Sequence, residues 1–127
     1  MDFGLTETQE LIRTSAREFL ADRSDPEIVR AVASGDTDAI TELWKEVIDF
    51  GWPALAISEE YGGAGLSFSD LVVLLEALGS SLAPTPVVES AVTSWVLERF
   101  GPESMKSDLL PQVATGDILI TPAIVES

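Results

Sequence analysis

The chain has 127 residues, a length that suits one domain with a hydrophobic core of its own. Its 22 acidic and 7 basic residues give a formal net charge of −15, which argues against nucleic acid and anionic membranes as partners, because both require a basic surface. Cysteine and histidine are absent, which excludes disulfides, thiol nucleophiles, thiolate or imidazole metal ligands and a Ser-His-Asp triad.

The same composition bears on location. The N-terminal residues MDFGLTETQE lack the apolar core of a signal peptide, and no apolar run approaches the roughly 18–20 residues of a membrane helix. A chain without cysteine is compatible with a reducing compartment. We therefore expect a cytoplasmic protein with no metal site and no membrane contact.

The first predicted helix covers residues 6–22. Thr6 and Gln9 have the spacing of a capping box, in which each side chain bonds the backbone N–H of the other residue. The residues that follow at helical spacing predict one buried face, made of Leu11, Ile12, Ser15, Ala16, Phe19 and Leu20.

Two further helices are predicted before the first long loop. The second is short, with Asp25 as its N-cap, Pro26 in its first turn and Gly35 after its end. The third begins at Asp36 or Thr37. Its apolar register comprises Ile40, Leu43, Trp44, Val47 and Ile48, and it ends at Gly51.

The segment 58–65, SEEYGGAG, is predicted to be a loop because its glycines give the backbone unusual freedom. A phosphate cradle is the alternative, but no lysine follows, and the loop fits neither Gly-rich nucleotide motif. We favour a structural turn. The adjacent Glu59 and Glu60 are expected to be solvated rather than catalytic, since paired catalytic carboxylates must converge on one cleft.

A strongly apolar fourth helix is predicted from Ser67 or Ser69 to about Leu82, buried centrally, with Glu76 bonded to another helix. Thr85 can cap a fifth helix. The apolar stripe predicted for this helix comprises Ala91, Val92, Trp95 and Val96. Small or short polar residues also line this region and leave room for either a neighbouring helix or a ligand: Ser81, Ala83, Thr85, Ser90, Thr93 and Ser94.

The last predicted helix covers residues 103–115 and ends at Gly116, with Pro111 expected to kink or shorten it. Its inward residues are predicted to be Met105, Leu109, Leu110 and Val113. Ile118–Val125 is β-branched and apolar, which predicts a strand without a partner in this chain. The sequence thus predicts an all-α domain at 1–116, with about six helices in an orthogonal or up-down bundle. Residues 117–127 would then begin a missing β-domain or borrow a sheet from elsewhere.

In order and spacing, several motifs resemble the N-terminal helical domain of the acyl-CoA dehydrogenases. The resemblance covers essentially the whole chain. The residues that carry it are Asp2, Phe3, Leu5, Gln9 and Leu11; Phe50-Gly51-Trp52, Leu55, Ile57 and Glu59-Glu60-Tyr61-Gly62-Gly63-x-Gly65; Asp70 and Glu76-Ala77-Leu78-Gly79; and Leu110-Pro111-x-x-Ala114-x-Gly116.

The resemblance implies a full-length, oligomeric flavoprotein that binds FAD and dehydrogenates an acyl-CoA thioester, passing electrons to electron-transfer flavoprotein. It also implies that the catalytic glutamate and most flavin contacts lie outside this chain, which should be inactive alone. Pro86, Val87, Ser90 and Ser94 would line the acyl pocket.

The same resemblance places Ile124 and Val125 beside the flavin. The family usually ends its first β-domain strand with Thr-Glu-Pro, whereas this chain has Val125-Glu126-Ser127. Losing the threonine hydroxyl favours one alternative, a degenerate subunit of a heteromeric acyl-CoA dehydrogenase. A non-catalytic helical interaction module and a free-standing helical ligand binder are the others.

Overall fold

The computed structural model describes residues 4–125, which are helical without any β-strand, and this confirms the predicted all-α class. Asp2 and Phe3 at one end, and Glu126 and Ser127 at the other, lie outside the described residues. The α-helices of the described part are α1 (Glu7–Arg23), α2 (Pro26–Ala33), α3 (Thr37–Asp49), α4 (Phe68–Ser80), α5 (Val87–Phe100) and α6 (Glu103–Thr115), with short 3-10 turns at Trp52–Ala54 and Glu59–Tyr61.

The first three helices begin where side chains cap them. The Thr6 hydroxyl accepts from the Gln9 N–H (3.2 Å), and the Gln9 carboxamide accepts from the Thr6 N–H (3.1 Å), so the predicted capping box is present. Asp25 accepts a hydrogen bond from the N–H two residues further on (2.6 Å), and Asp36 does the same at 3.0 Å. Each cap pairs donors that the first helical turn leaves unsatisfied.

The chain divides into two compact units. The first consists of residues up to Leu43 together with Phe68–Pro84. Within it α1 packs against α4, and Gln9 Nε2 donates to Asp70 Oδ1 at 2.9 Å, which joins the start of one helix to the start of the other. The buried apolar residues of these two helices are Ala16, Leu20, Leu71, Val73, Leu74, Ala77 and Leu78.

The second unit consists of Trp44–Ser67 and the residues from Thr85 onward. Here α5 packs against the 3-10 turn at Trp52–Ala54 and against α6. The core of this unit is formed by Ala54, Ile57, Leu110 and Val113, with Tyr61, Leu97, Ala114, Ile118 and Ile120 packed around it.

Three apolar residues predicted to face inward are exposed instead. Leu11 is 68% exposed because it lies about 140° around the helix from Ala16, at 3.6 residues per turn. Val96 is exposed for the same reason, lying about 180° from the buried Val87. Met105 of α6 is exposed too. Apolar side chains alone did not identify the buried stripe, because small residues occupy much of it.

The helix α4 ends at Ser80 rather than at Leu82. The N–H groups of Leu82 and Ala83 bond to the carbonyls of Gly79 and Leu78 (3.1 and 3.0 Å), the pattern of a Schellman cap. Leu82 takes the left-handed conformation of that cap, with φ of 50°. Glycine is the usual residue at this position, since a Cβ raises its conformational energy.

The prediction that Glu76 bonds to another helix is wrong. Its side chain is exposed on α4, where water solvates the carboxylate, so it needs no bond to another helix. The neighbouring Val72 is exposed as well, which shows that α4 is not buried all round.

The structure does not assign a strand to the described residues of the tail, 117–125. A strand is defined by a hydrogen-bonded ladder, and no second strand lies within residues 4–125 to complete one. The helix α6 spans the predicted residues 103–115, does not break at Pro111, and ends at Gly116 with φ of 79°. The boundary between a domain at 1–116 and a β-segment at 117–127 stays a prediction.

Candidate functional site

The glycine-containing loop is bound to the rest of its own unit through its backbone. The amides of Ala64 and Leu66 donate to the carbonyls of Ala54 and Leu55 (both 3.1 Å), and Gly65 N donates to Ile57 O at 2.8 Å. These donors are already used, which supports a structural turn over a phosphate cradle.

Gly63 explains part of the loop's composition. A Cβ at this position would lie 2.1 Å from the carbonyl oxygen of Ile57, so only glycine allows the two backbone segments to approach this closely. The Glu59 and Glu60 side chains that precede it are exposed, in keeping with the expectation that they are solvated.

Carboxylates from α5 and α6 hold the loop at two points. The Ser58 hydroxyl donates to Glu98 Oε1, and the Ser58 N–H donates to Glu98 Oε2 at 3.2 Å. The Tyr61 hydroxyl donates to Glu103 Oε1 at 2.8 Å. Loss of the Tyr61 proton would break this hydrogen bond and place two negative charges side by side, so the contact with Glu103 raises the pKa of Tyr61 to about 12.

The same contact acts in the opposite direction on the carboxylate. The hydrogen bond from Tyr61, followed by that from Lys106, lowers the pKa of the Glu103 carboxyl below its usual value. Lys106 Nζ lies 3.4 Å from Glu103 Oε2. This cluster joins the loop to α6. Because the pKa of its tyrosine is raised, the hydroxyl stays protonated, which supports a structural role for the contact.

The residues predicted to line an acyl pocket share one face of α5. Val87, Ser90 and Ser94 are each 0% exposed and recur at the three- and four-residue spacing of a helix face. The Ser94 hydroxyl donates to the Ser90 carbonyl at 2.7 Å. Pro86 is the N-cap residue of α5 and is half-buried. The structure thus places these residues together, on or next to one buried face of α5.

Three buried hydroxyls on or just before α5 have no hydrogen-bond partner among residues 4–125. These are the side-chain oxygens of Thr85, Ser90 and Thr93. A buried hydroxyl without a partner costs free energy, so a polar atom here requires a reason other than packing. The predicted cap by Thr85 is not made, and α5 begins without a side-chain hydrogen bond.

The predicted flavin-side residues lie in the exposed tail. Ile124 is 81% exposed and Val125 is 92% exposed, whereas Ile118 and Ile120 pack on the core of their unit. Glu126 and Ser127, on which the comparison with the Thr-Glu-Pro pattern partly depends, lie outside the described residues.

An open apolar cleft between α5 and α6 was not predicted. It has a volume of about 340 Å³, and its lining residues are Thr93, Val96, Leu97, Phe100, Gly101, Pro102 and Met105. The cleft was missed because the sequence pattern placed Val96 and Met105, which line it, in the core. The helix break at Gly101-Pro102 is a sequence signal for this cleft, because it lies between α5 and α6 and both residues line the cleft.

Within residues 4–125 no group of acidic side chains is arranged to hold a metal ion. A membrane-spanning helix is also absent from this range, since no helix there is both long and apolar enough.

Comparisons with known proteins agree with this architecture. The family described as "Acyl-CoA dehydrogenase, N-terminal domain" matches residues 6–117. The short-chain specific acyl-CoA dehydrogenase of Clostridium acetobutylicum is 32% identical over 121 residues, which cover 92% of this chain and 31% of that protein. The acyl-CoA dehydrogenase IpdE2 of Mycolicibacterium smegmatis is 30% identical over 122 residues, covering 95% of this chain and 39% of that protein.

A solved structure also resembles this chain. The ChsE4-ChsE5 complex from Mycobacterium tuberculosis contains a chain with a TM-score of 0.84 and 30% identity, over 95% of this chain and 34% of that one. The chain therefore belongs to the acyl-CoA dehydrogenase family and corresponds to its N-terminal domain. It spans about a third of the length of the relatives that it matches, between 31% and 39% for the two proteins above.

Proposed function

We propose that this chain is the N-terminal α-domain of a flavin-dependent acyl-CoA dehydrogenase and supplies one wall of the acyl pocket. The family match over residues 6–117 carries the proposal. The full-length protein would remove hydrogens from the α and β carbons of an acyl-CoA thioester. This chain would shape the substrate site without supplying a catalytic group.

The wall is assigned to Pro86, Val87, Ser90 and Ser94. Support comes from their common position on or beside one face of α5 and from the unpartnered hydroxyl of Ser90. Serine is small, so in the full-length protein Ser90 and Ser94 would leave more room for a long or bulky acyl group than larger side chains would. The full-length enzyme would act in fatty-acid or lipid metabolism, and the size of this space would determine which acyl chains it accepts.

FAD would accept the hydride and pass electrons to electron-transfer flavoprotein. The residues present here fit only an edge of that cofactor. Ile124 and Val125 offer apolar contacts, and the glycine-loop amides are already bonded within the chain. We therefore assign the flavin phosphates and the catalytic base to other parts of the protein, and we expect this chain alone to be inactive.

A second candidate is the flavin-deficient subunit of a heteromeric assembly in the cytoplasm. It is favoured by Val125, which replaces the threonine usual in the family, and by the likeness to a chain of the ChsE4-ChsE5 complex. Flavin content per subunit separates the candidates: one FAD per copy of this chain supports an active homo-oligomer, and fewer supports the heteromer.

The wall assignment is tested in the full-length protein by Ser94→Leu, with Ser94→Val as a milder variant. Added volume on this face should reject long acyl chains, lowering the ratio of kcat/KM for long over short acyl-CoA by about tenfold. Val88→Leu is the matched control, because Val88 lies on the exposed side of the same helix. An equal ratio in all variants with equal flavin content would contradict the assignment.

A further inference from the structure

A cleft of about 220 Å³ lies within the first unit, where the start of α2 meets the turn that follows α4. Its lining residues are Ser24, Pro26, Val29, Arg30, Ser81 and Leu82. The volume is below the roughly 300–1,000 Å³ of sites for drug-sized ligands, so it suits a short chain. None of the residues assigned to the acyl wall contributes to it.

The interior of this cleft is apolar. The Ser24 hydroxyl donates to the Ser81 carbonyl at 2.8 Å, so these two polar groups satisfy each other. Pro26, Val29 and Leu82 supply carbon surface on the remaining sides. An alkyl group could therefore enter without breaking a hydrogen bond.

Arg30 gives the cleft one charged group. Its side chain is exposed, and within residues 4–125 its guanidinium makes no ion pair or hydrogen bond. Arginine binds carboxylates through paired N–H donors, which makes a carboxylate the complementary group.

Leu82 provides a separate observation. Its side chain is 70% exposed, although its backbone has the left-handed φ of 50° for which glycine is preferred. A large apolar side chain kept exposed in an unfavourable conformation serves neither the cap nor the core. Strained positions of this kind concentrate at functional sites.

We propose that this cleft binds a small amphiphilic carboxylate, with its alkyl chain against Val29 and Leu82 and its carboxylate on Arg30. The site shares no residue with the proposed acyl wall. It therefore stands or fails independently of the dehydrogenase assignment.

The test is a titration of the isotope-labelled chain with octanoate, followed by backbone amide NMR, with 1-octanol as the uncharged comparison. Octanoate is expected to shift the amides of residues 24–30 and 80–83, and to bind about fivefold more tightly than 1-octanol, the upper end of what one exposed ion pair allows. Equal affinity for both compounds, or shifts outside these segments, would overturn the proposal.

Two substitutions test which residue contacts the carboxylate and which contacts the alkyl chain of the ligand. Arg30→Gln should weaken octanoate about fivefold and leave 1-octanol unchanged. Leu82→Ala should weaken both compounds. Arg17→Gln is the matched control, an exposed arginine on α1 outside the cleft. If Arg17→Gln and Arg30→Gln weaken octanoate equally, the contact is general electrostatic attraction and the site is refuted.

Discussion

At single residues, replacing glycine with alanine is expected to have opposite effects on stability in the two units. Gly63 is required because a Cβ would meet the Ile57 carbonyl oxygen at 2.1 Å, whereas a Cβ at Gly79 would meet nothing within 4 Å. Gly63→Ala should cost about 3 kcal/mol or more in unfolding free energy, since backbone atoms must separate. Gly79→Ala should instead stabilise by about 0.5–1 kcal/mol, because alanine is the better helix former.

Denaturant unfolding of both variants measures these free energies. Because the two substitutions are chemically identical, the comparison isolates the effect of position. If Gly63→Ala lowered the unfolding free energy by less than an ordinary surface substitution does, the loop would not approach Ile57 this closely.

Tyr61 is the chain's single tyrosine, so its ionisation can be followed directly in the near ultraviolet. Its pKa is raised from 10.0 to about 12 by the hydrogen bond to Glu103, so its share of stability is fully present below pH 10 and is lost as the pH rises towards 12. In Glu103→Gln we expect the ionisation midpoint to move down towards 10. An unchanged midpoint would show that the Tyr61–Glu103 contact does not form.

For Glu103, the carboxylate of this pair, we expect the contribution to stability to be lost in acid rather than in base. Because the folded-state pKa of Glu103 is lowered, its contribution is present above the unfolded pKa and is lost as the pH falls through the folded value. Tyr61→Phe removes the first cause of that shift. Its destabilisation should therefore shrink in acid, which unfolding measured across pH would detect.

At the scale of elements, the end of α4 contains the clearest departure from ideal local chemistry. Leu82 occupies the position where a Schellman cap favours glycine. Leu82→Gly should stabilise the chain by about 1 kcal/mol by relieving the left-handed strain. Leu82→Ala keeps the Cβ and is the control that should show no such gain. A lower melting temperature for Leu82→Gly than for Leu82→Ala would contradict the assigned strain.

Sequence reasoning succeeded where structure is decided locally. The caps at Thr6, Asp25 and Asp36, and the end of α6 at Gly116, follow from side chains within one turn of the boundary. It failed where distant contacts decide. The burial of Ser90 on α5 depends on partners far along the chain, so no local signal could have identified it.

The candidate site shows the same division. The assignment of Ser90 and Ser94 to the acyl wall came from the resemblance to the acyl-CoA dehydrogenases, whereas their complete burial became visible only in the fold. The cleft beside Arg30 could not be predicted, because α2 and the turn after α4 are separated by about fifty residues of chain. Leu82 was assigned to the helix, since its left-handed backbone leaves no trace in the composition of the segment.

Across the whole molecule, side chains suited to acid–base or nucleophilic chemistry are scarce. This chain has no histidine and no cysteine, and its one tyrosine is held protonated by a carboxylate. Its acyl-wall candidates are small, buried and not ionisable. Under the proposed function, this domain would shape the site of the acyl group, and proton removal and hydride transfer would need residues and a cofactor from elsewhere in the protein.

The most direct test is to purify the chain alone, saturate it with FAD and acyl-CoA, and measure retained flavin absorbance together with thioester oxidation. We predict a colourless protein after removal of free FAD and no oxidation above background, because the two residues assigned to the flavin, Ile124 and Val125, are apolar and exposed. Retention of one FAD per chain, or oxidation of the thioester by the chain unaided, would contradict the account.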